Sequence, residues 1–578
     1  MWFEKLRGLV KNSWRIALIG VLFTSLGVAL IARAAYHQLY PIQQAFLQNA
    51  GDNRAIRTIT ISANRGMFLD RNGEPIAVSA PVISFWANPT ILVNYEHYYK
   101  DIAESLDIPY AKFVSLIESR KDKKFVWLKR QLIPEQSRAL LRLNIPGIHQ
   151  EREYRRYYPD AEVTSHILGF TDIEDQGQDG LERTFNDLLQ GKNGSKRVLR
   201  DQRDRIIEEI EIINEPLAGE NITLTIDRRL QYLAYRALKT AVLENNATAG
   251  SLILADAKTG EILALVNQPA GNPNDRAQRK SELLKNRVVT DVFEPGSIIK
   301  PFVVATALET GLWRPHTMIE TGSGAMPLGK HMIRDVGRNG LIDVTKAIVK
   351  SSNIAMVKIS QTFPPQKLYD TYKSLGIGQK SGLKFTGEQA GYLGNVKAWN
   401  KNSFEYATKT FGYGITINTL QMAQMYAVLA NDGVYKPLHI KKDKPLFDDT
   451  HRVMSQKTAH EVVTMLEAVV GKGGSGRRAA VPGFRVGGKS GTARKVINGH
   501  YSNSVHRAFF AGIAPISNPR YVLVIVIDEP SAGKYYGGLV GAPIFSEVMG
   551  GALRLLGVRP DEIPDLPKLK LISKEQSR

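Results

Sequence analysis

The chain has 578 residues, a formal net charge of +20, 43% hydrophobic and 23% charged residues, and no cysteine. The missing cysteines exclude disulfides, thiolate catalysis and cysteine-ligated zinc, and the length leaves room for roughly three or four domains of ordinary globular composition. The positive charge suits a solvated surface, anionic lipid or an anionic polymer. No RNA-recognition or zinc-finger motif accompanies it, so nucleic acid is not an expected partner.

In chain order, Ile16 to Ala32 carries no charge and has the length of a short membrane-spanning helix. Lys5, Arg7, Lys11 and Arg15 precede it, which predicts a cytoplasmic tail over 1–15, a span over 16–36 and an external remainder. A cleaved signal peptide is the alternative, but no small-x-small site is followed by a polar start. Gln38–Asn53 reads as a polar stalk. Asn72-Gly73 lies between two apolar strands and predicts a hairpin. Residues 37–215 together read as a stalk and a pedestal of strands and helices, with Arg120–Lys124 a solvated charge run and His166 structural rather than a ligand.

Asp227–Glu244 has helical amphipathic spacing, and Gly250–Ala255 with Glu261–Val266 forms a second hairpin across Asp256–Gly260. The stretch from Lys300 to Val470 reads as mostly helical. Strands return at Phe484–Ala493, Arg507–Ile513 and Tyr521–Ile527, then a helix over Ala542–Leu556 and a charged tail over 559–578 expected to be poorly ordered. Strands at both ends with helices between them predict an α+β fold: an antiparallel sheet flanked by helices, in a domain over 216–558.

The chemistry concentrates at Asp291–Phe302. Pro295-Gly296 predicts a turn and Phe302–Glu309 a buried helix, placing Ser297 at a helix start with Lys300 one turn later on the same face. A serine hydroxyl needs a base to become a nucleophile, and a lysine buried among apolar residues can be that base in its neutral form. Ser-x-x-Lys occurs three times, at Ser297, Ser381 and Ser531, and only the first lies on a plausible helix. Lys-[Ser/Thr]-Gly also occurs three times, at Lys258, Lys380 and Lys489. The first is a hairpin turn, the second a loop, and the third continues a strand pattern. Ser351-Ser352-Asn353 lies between them, after the helical run Val344–Lys350.

The ordered set Ser297…Lys300, Ser351…Asn353, Lys489-Ser490-Gly491-Thr492 is the motif set of penicillin-binding proteins and class A β-lactamases. The chemistry assigns Ser297 as nucleophile, Lys300 as its base, Ser351 as proton relay and Asn353 as an amide for the substrate backbone. Lys489, Ser490 and Thr492 would hold a terminal carboxylate, and Gly491 would let an extended peptide approach an edge strand. The backbone N–H groups of Ser297 and Thr492 would form an oxyanion hole.

From the anchor onward the chain resembles the class B penicillin-binding proteins, peptidoglycan D,D-transpeptidases of the cell-division type (FtsI, penicillin-binding protein 3). The resemblance is carried by Arg65-Gly66…Asp70-Arg71-Asn72-Gly73, His166…Gly180-Leu181-Glu182, Phe293-Glu294-Pro295-Gly296-Ser297 and Phe411-Gly412-Tyr413-Gly414. Ser490 stands where many relatives have threonine. The resemblance implies a serine β-lactamase-like transpeptidase domain behind a pedestal of the dimerisation type, at the septum of the bacterial inner membrane. It also implies peptidoglycan stem peptides as substrate, β-lactams as inhibitors, no cofactor or metal, and partners that include an FtsW-type glycan polymerase and other divisome proteins. An elongation-type enzyme, a β-lactamase or a β-lactam sensor would use the same motifs. A P-loop ATPase is the remote alternative, because Gly483–Ser490 formally fits G-x-x-x-x-G-K-[ST] and Val522–Glu529 imitates a Walker B strand.

Overall fold

The computed structural model describes residues 2–39, 56–200, 206–443 and 449–562. Most of the expected stalk, and the tail beyond residue 562, lie outside the described residues. Trp2–Leu39 forms one helix. Its segment Trp14–Gln38 is long and apolar enough to cross a membrane, and its most apolar stretch is not buried among the described residues.

The described chain separates into two compact units. The smaller comprises Met1–Asn64, Pro81–Glu153 and Gly191–Ala218. In it, Ile56–Ile61, Gly194–Arg200 and Ile206–Asn214 form a three-stranded antiparallel sheet. Its apolar core gathers Phe85, Leu92, Ile102, Phe113, Ile117 and Leu140. The predicted charge run Arg120–Lys124 is exposed.

The larger unit comprises Arg65–Ala80, Tyr154–Gln190 and Gly219–Arg578. Two segments read from the sequence as pedestal therefore fold within it. An ion triad anchors them: Arg65 and Arg156 both bond the carboxylate of Glu182, at 2.7 and 2.6 Å, with all three side chains at most 2% exposed. The expected Asn72-Gly73 turn is present. Asp70 Oδ1 accepts from the backbone N–H groups of Asn72 and Glu74, and Gly73 takes φ +91°.

The centre of this unit is an antiparallel sheet of five strands: β1 (Ala249–Asp256), β2 (Ile262–Gln268), β3 (Gly487–Ile497), β4 (His500–Ala514) and β5 (Tyr521–Asp528), in the order β2-β1-β5-β4-β3. The two ends of the domain meet where β5 pairs with β1, as the sequence predicts. Alternation along β5 explains its unbroken apolar run. Leu523, Ile525 and Ile527 face one core, while Val522, Val524 and Val526 face another. On the first side lie α1 (Arg228–Glu244), with Asp227 as its N-cap, and a helix that closes the domain over Gly537–Leu555. On the other side lie α2 (Lys300–Leu308), α3 (Asn353–Ser360), α4 (Thr419–Ala430) and α5 (Gln456–Val470).

The middle is less helical than the sequence predicts. Between α2 and α3 run four short strands, Met318–Glu320, Ala325–Leu328, His331–Arg334 and Leu341–Asp343, paired as two small ribbons. Pro327 and the exposed Met332 and His331 hide any alternating apolar pattern there.

Candidate active site

The stretch Asp291–Phe302 is built differently in one respect from the reading of its sequence. Ser297 sits not in the α-helix but in a 3-10 turn, Gly296–Ile299, that leads into α2. In such a turn residues i and i+3 eclipse, so Ser297 and Lys300 still fall on the same side of the turn. Gly296 has φ +55° and donates its N–H to the carbonyl of Gly412 at 3.1 Å. Gly412, at φ +86°, approaches so closely that a Cβ there would lie 2.2 Å from the Gly296 oxygen. The Tyr426 hydroxyl of α4 donates to the Ile298 carbonyl at 3.0 Å. The turn that presents Ser297 is thus fixed from both sides, while Ser297 itself remains partly exposed.

Lys300 is completely buried. Its Nζ lies 2.5 Å from the Ser351 carbonyl, 2.7 Å from Asn353 Oδ1 and 3.2 Å from Ser351 Oγ. The amide of Asn353 is oriented by its other end, because Nδ2 donates to the Arg334 carbonyl at 2.8 Å. Two of the three partners can only accept. A neutral amine has two N–H donors and one lone pair, so those two acceptors take both protons and leave the lone pair for a hydroxyl. Burial, reinforced by the charge of Lys489, holds the Lys300 pKa well below the usual lysine range, while Asp335 opposes the shift.

Ser351 follows the helix Val344–Val349 in a left-handed conformation, φ +56°. The next residue, Ser352, caps α3 by accepting from Ala355 N. This sharp turn brings the Ser351 hydroxyl between two buried amines, for Lys489 Nζ lies 3.0 Å from it. Lys489 also donates to the Ser490 carbonyl at 2.8 Å, and burial lowers its pKa to about 7.

Lys489–Thr492 lies on β3, the outermost strand of the sheet, with one edge unpaired by any other strand of that sheet. A Cβ on Gly491 would stand 3.0 Å from Ile298 Cγ2 and 3.4 Å from Ile298 N, so the strand passes directly against the Ser297 turn. Thr492 Oγ1 accepts from Gly537 N at 3.1 Å, which leaves its own proton for a ligand. Ser490 Oγ is 3.2 Å from the hydroxyl of Ser475. The structure thus brings all eight predicted side chains or backbone positions to one junction of turn, helix and edge strand.

Sequence reasoning missed three contributors. Asp335, at the end of the unpredicted ribbon, receives hydrogen bonds from Ser352 Oγ and Asn353 N. Ser475 lies in a glycine-rich loop with no pattern to mark it. Glu294, read only as part of a turn, accepts from Gly414 N at 2.6 Å and from the Tyr501 hydroxyl at 2.9 Å. Tyr501, Tyr413, Phe404 and Asn353 line a cavity of about 600 Å³ beside the cluster.

The profile of the penicillin binding protein transpeptidase domain matches residues 250–550, and that of the penicillin-binding protein dimerisation domain matches residues 60–224. The peptidoglycan D,D-transpeptidase FtsI of Escherichia coli K12 is 40% identical over 561 residues, 95% of this chain and 93% of that protein. The chain belongs to the penicillin-binding transpeptidase family. Within that family, a probable peptidoglycan D,D-transpeptidase PbpC of Pseudomonas aeruginosa is 38% identical over 96% of this chain and 98% of its own length. Among solved structures, the transpeptidase domain of Burkholderia pseudomallei penicillin-binding protein 3 is 42% identical, with a TM-score of 0.54, over 59% of this chain and 98% of its own. Mycobacterium tuberculosis penicillin-binding protein 3 complexed with aztreonam is 26% identical, with a TM-score of 0.68, over 87% of this chain and 98% of its own.

The ATPase alternative fails on geometry. A P-loop must open a helix, but Gly487–Ile497 is an extended strand with Lys489 buried inside it. His166 is likewise no free ligand: it bonds the Pro269 carbonyl at 3.2 Å, and burial depresses its pKa to about 4.

Proposed function

We propose that this transpeptidase cross-links peptidoglycan stem peptides at the division septum through an acyl-enzyme on Ser297. The observation that carries the reading is the hydrogen-bonding of Lys300, whose two obligate acceptors suit a neutral amine poised as a base. Ser297 Oγ attacks the D-Ala–D-Ala carbonyl and gives its proton to Lys300. Backbone N–H groups of Ser297 and Thr492 hold the oxyanion. The terminal D-Ala leaves as an amine, protonated through Ser351, which touches both lysines. The amine of a second stem peptide then attacks the ester, forms the cross-link and frees Ser297.

Lys489, Ser490 and Thr492 bind the terminal carboxylate, Gly491 admits the peptide to the edge of β3, and Asn353 holds its backbone. β-Lactams acylate the same serine. The septal assignment is supported by relatives named FtsI at 40% identity and by Glu294-Pro295-Gly296 before the serine. The basic residues ahead of the apolar helix support a cytoplasmic N-terminus and a periplasmic catalytic domain. We assign 1–15 to the cytoplasm, 16–36 to the membrane, 37–215 to stalk and pedestal, 216–558 to catalysis and 559–578 to a tail. An FtsW-type polymerase and other divisome proteins are its partners in this reading, since glycan polymerisation needs a second enzyme. Labelling the full chain with a fluorescent penicillin and mapping the modified residue tests the site. An adduct on Ser297, absent in Ser297→Ala, is the expected result. A covalent adduct that survives Ser297→Ala defeats the assignment.

A further inference from the structure

The carboxylate of Asp335 lies outside the three motifs, yet it holds the middle one in place. Its Oδ2 accepts from the Ser352 hydroxyl at 2.5 Å, and its Oδ1 accepts from the backbone N–H groups of Asn353 at 2.6 Å and Ile354 at 3.1 Å. Those N–H groups belong to the first turn of α3, which no residue within the helix can satisfy. Arg334, one residue earlier, takes the amide proton of Asn353 on its carbonyl. The end of the ribbon therefore grips Ser352 and both the backbone and the side chain of Asn353. These are the neighbours that set Ser351, whose left-handed backbone is strained for a non-glycine residue and persists only where its surroundings impose it.

Given the acyl-transfer reading above, we propose that Asp335 is a positioning residue for acylation, fixing the turn Ser351–Asn353 so that its carbonyl and amide oxygens hold the Nζ of Lys300. Asp335 does not touch the reacting atoms. It acts through Asn353 and Ser352. It also adds a negative charge to the surroundings of Lys300, on which Lys489 acts as the opposing charge and to which Ser351 and Asn353 are hydrogen-bonded. The charge favours protonated Lys300, and the geometry favours its productive orientation. Removing the carboxylate thus has two separable effects. The rate falls because the turn relaxes, and the acid limb of the pH profile moves to lower pH because an anion that stabilised the protonated amine is gone.

The test is the second-order rate of acylation by a fluorescent penicillin, measured against pH in the full chain in detergent, for wild type, Asp335→Asn and Asp335→Glu. Val336→Ala, at an exposed neighbour, is the control. We expect Asp335→Asn to lose on the order of tenfold to a hundredfold in rate at its plateau, with the acid limb displaced downward. Asp335→Glu should restore part of the rate and return the limb toward its wild-type position. A thermal melt of each variant separates positioning from unfolding. Wild-type rate in Asp335→Asn overturns the proposal. So does a loss that follows only the unfolded fraction with an unmoved limb. A wild-type chain that forms no adduct overturns the functional reading and this one with it, whereas a normal wild-type adduct with an indifferent Asp335→Asn overturns this one alone.

Discussion

Lys489 Nζ stands 3.0 Å from the Ser351 hydroxyl, on which Lys300 also converges from 3.2 Å. Two buried amines around one hydroxyl cannot both carry a proton without strong mutual repulsion in a low-dielectric site. The pair divides its labour accordingly. In the proposed reaction Lys300, held well below the ordinary lysine range, is the base, and Lys489, near 7, is the charge that meets a carboxylate.

Acylation should therefore follow a bell-shaped pH profile. Rate rises as Lys300 deprotonates and falls as pH passes about 7 and Lys489 loses its charge. Stopped-flow acylation by a carboxylate-bearing β-lactam reads both limbs. A neutral ester of the same β-lactam should lose much of the alkaline limb, because no carboxylate remains for Lys489 to bind.

Stability should change with pH in the opposite sense. Lys489 titrates at about 7 folded and near 10.5 unfolded. Between those values the unfolded chain binds more protons, so the Lys489 contribution makes stability rise with pH, and below about 7 it is flat at its least favourable. Lys489→Met should reduce the slope in that window by about 1.4 kcal/mol per pH unit. Denaturant melts at three pH values measure it. An unchanged slope would mean that Lys489 is no less basic folded than unfolded.

Lys300→Arg puts a permanent cation where a neutral amine is needed. Acylation should fall by about 10²–10⁴, without recovery at alkaline pH. A variant that recovers at high pH would show that the base lies elsewhere.

Gly412→Ala places a methyl group 2.2 Å from the Gly296 carbonyl, at a φ that disfavours a side chain. The Ser297 turn must shift. We expect a stability loss of roughly 1–3 kcal/mol and slower acylation than that loss alone explains, checked by melting and labelling in parallel.

Glu182→Gln leaves two buried guanidinium groups without their shared anion. The expected loss is about 3–5 kcal/mol, seen as a lowered melting temperature. Penicillin labelling per folded molecule should be unaffected, since the triad's hydrogen bonds run to Gly66, Ser79, Asp175 and Asn186 rather than to the Ser297 cluster.

The sequence carried the site further than it carried the scaffold. Ser297, Lys300, Ser351, Asn353 and Lys489–Thr492 were legible because each motif is local and their order is constrained, and β1, β2 and β5 because their apolar runs are continuous. Asp335 was not. It sits at the end of the ribbon Ala325–Arg334, whose short, largely exposed strands have no apolar period, and its partners are set by tertiary contact alone. The segments 65–80 and 154–190 read as pedestal, and the dimerisation-domain profile covers them, but that they pack within the larger unit was hidden for a similar reason. Nothing within them reveals that Arg65 and Arg156 close on Glu182 inside the larger unit.

The pairing of β5 with β1 sets when this enzyme can come into being. Tyr521 meets Asp256 and Asp528 meets Ala249, so the central strand of the sheet is supplied by nearly the last structured segment to be synthesised. Ser297 and Lys300 leave the ribosome long before Lys489 exists. Until β5 arrives, one edge of the apolar strand β1 has no partner, a state prone to aggregate. A chain stopped before residue 521 would lack the strand that joins β1–β2 to β3–β4, as well as the closing helix. A chain truncated before β5 should therefore not be trapped by penicillin, even though it carries all three motifs.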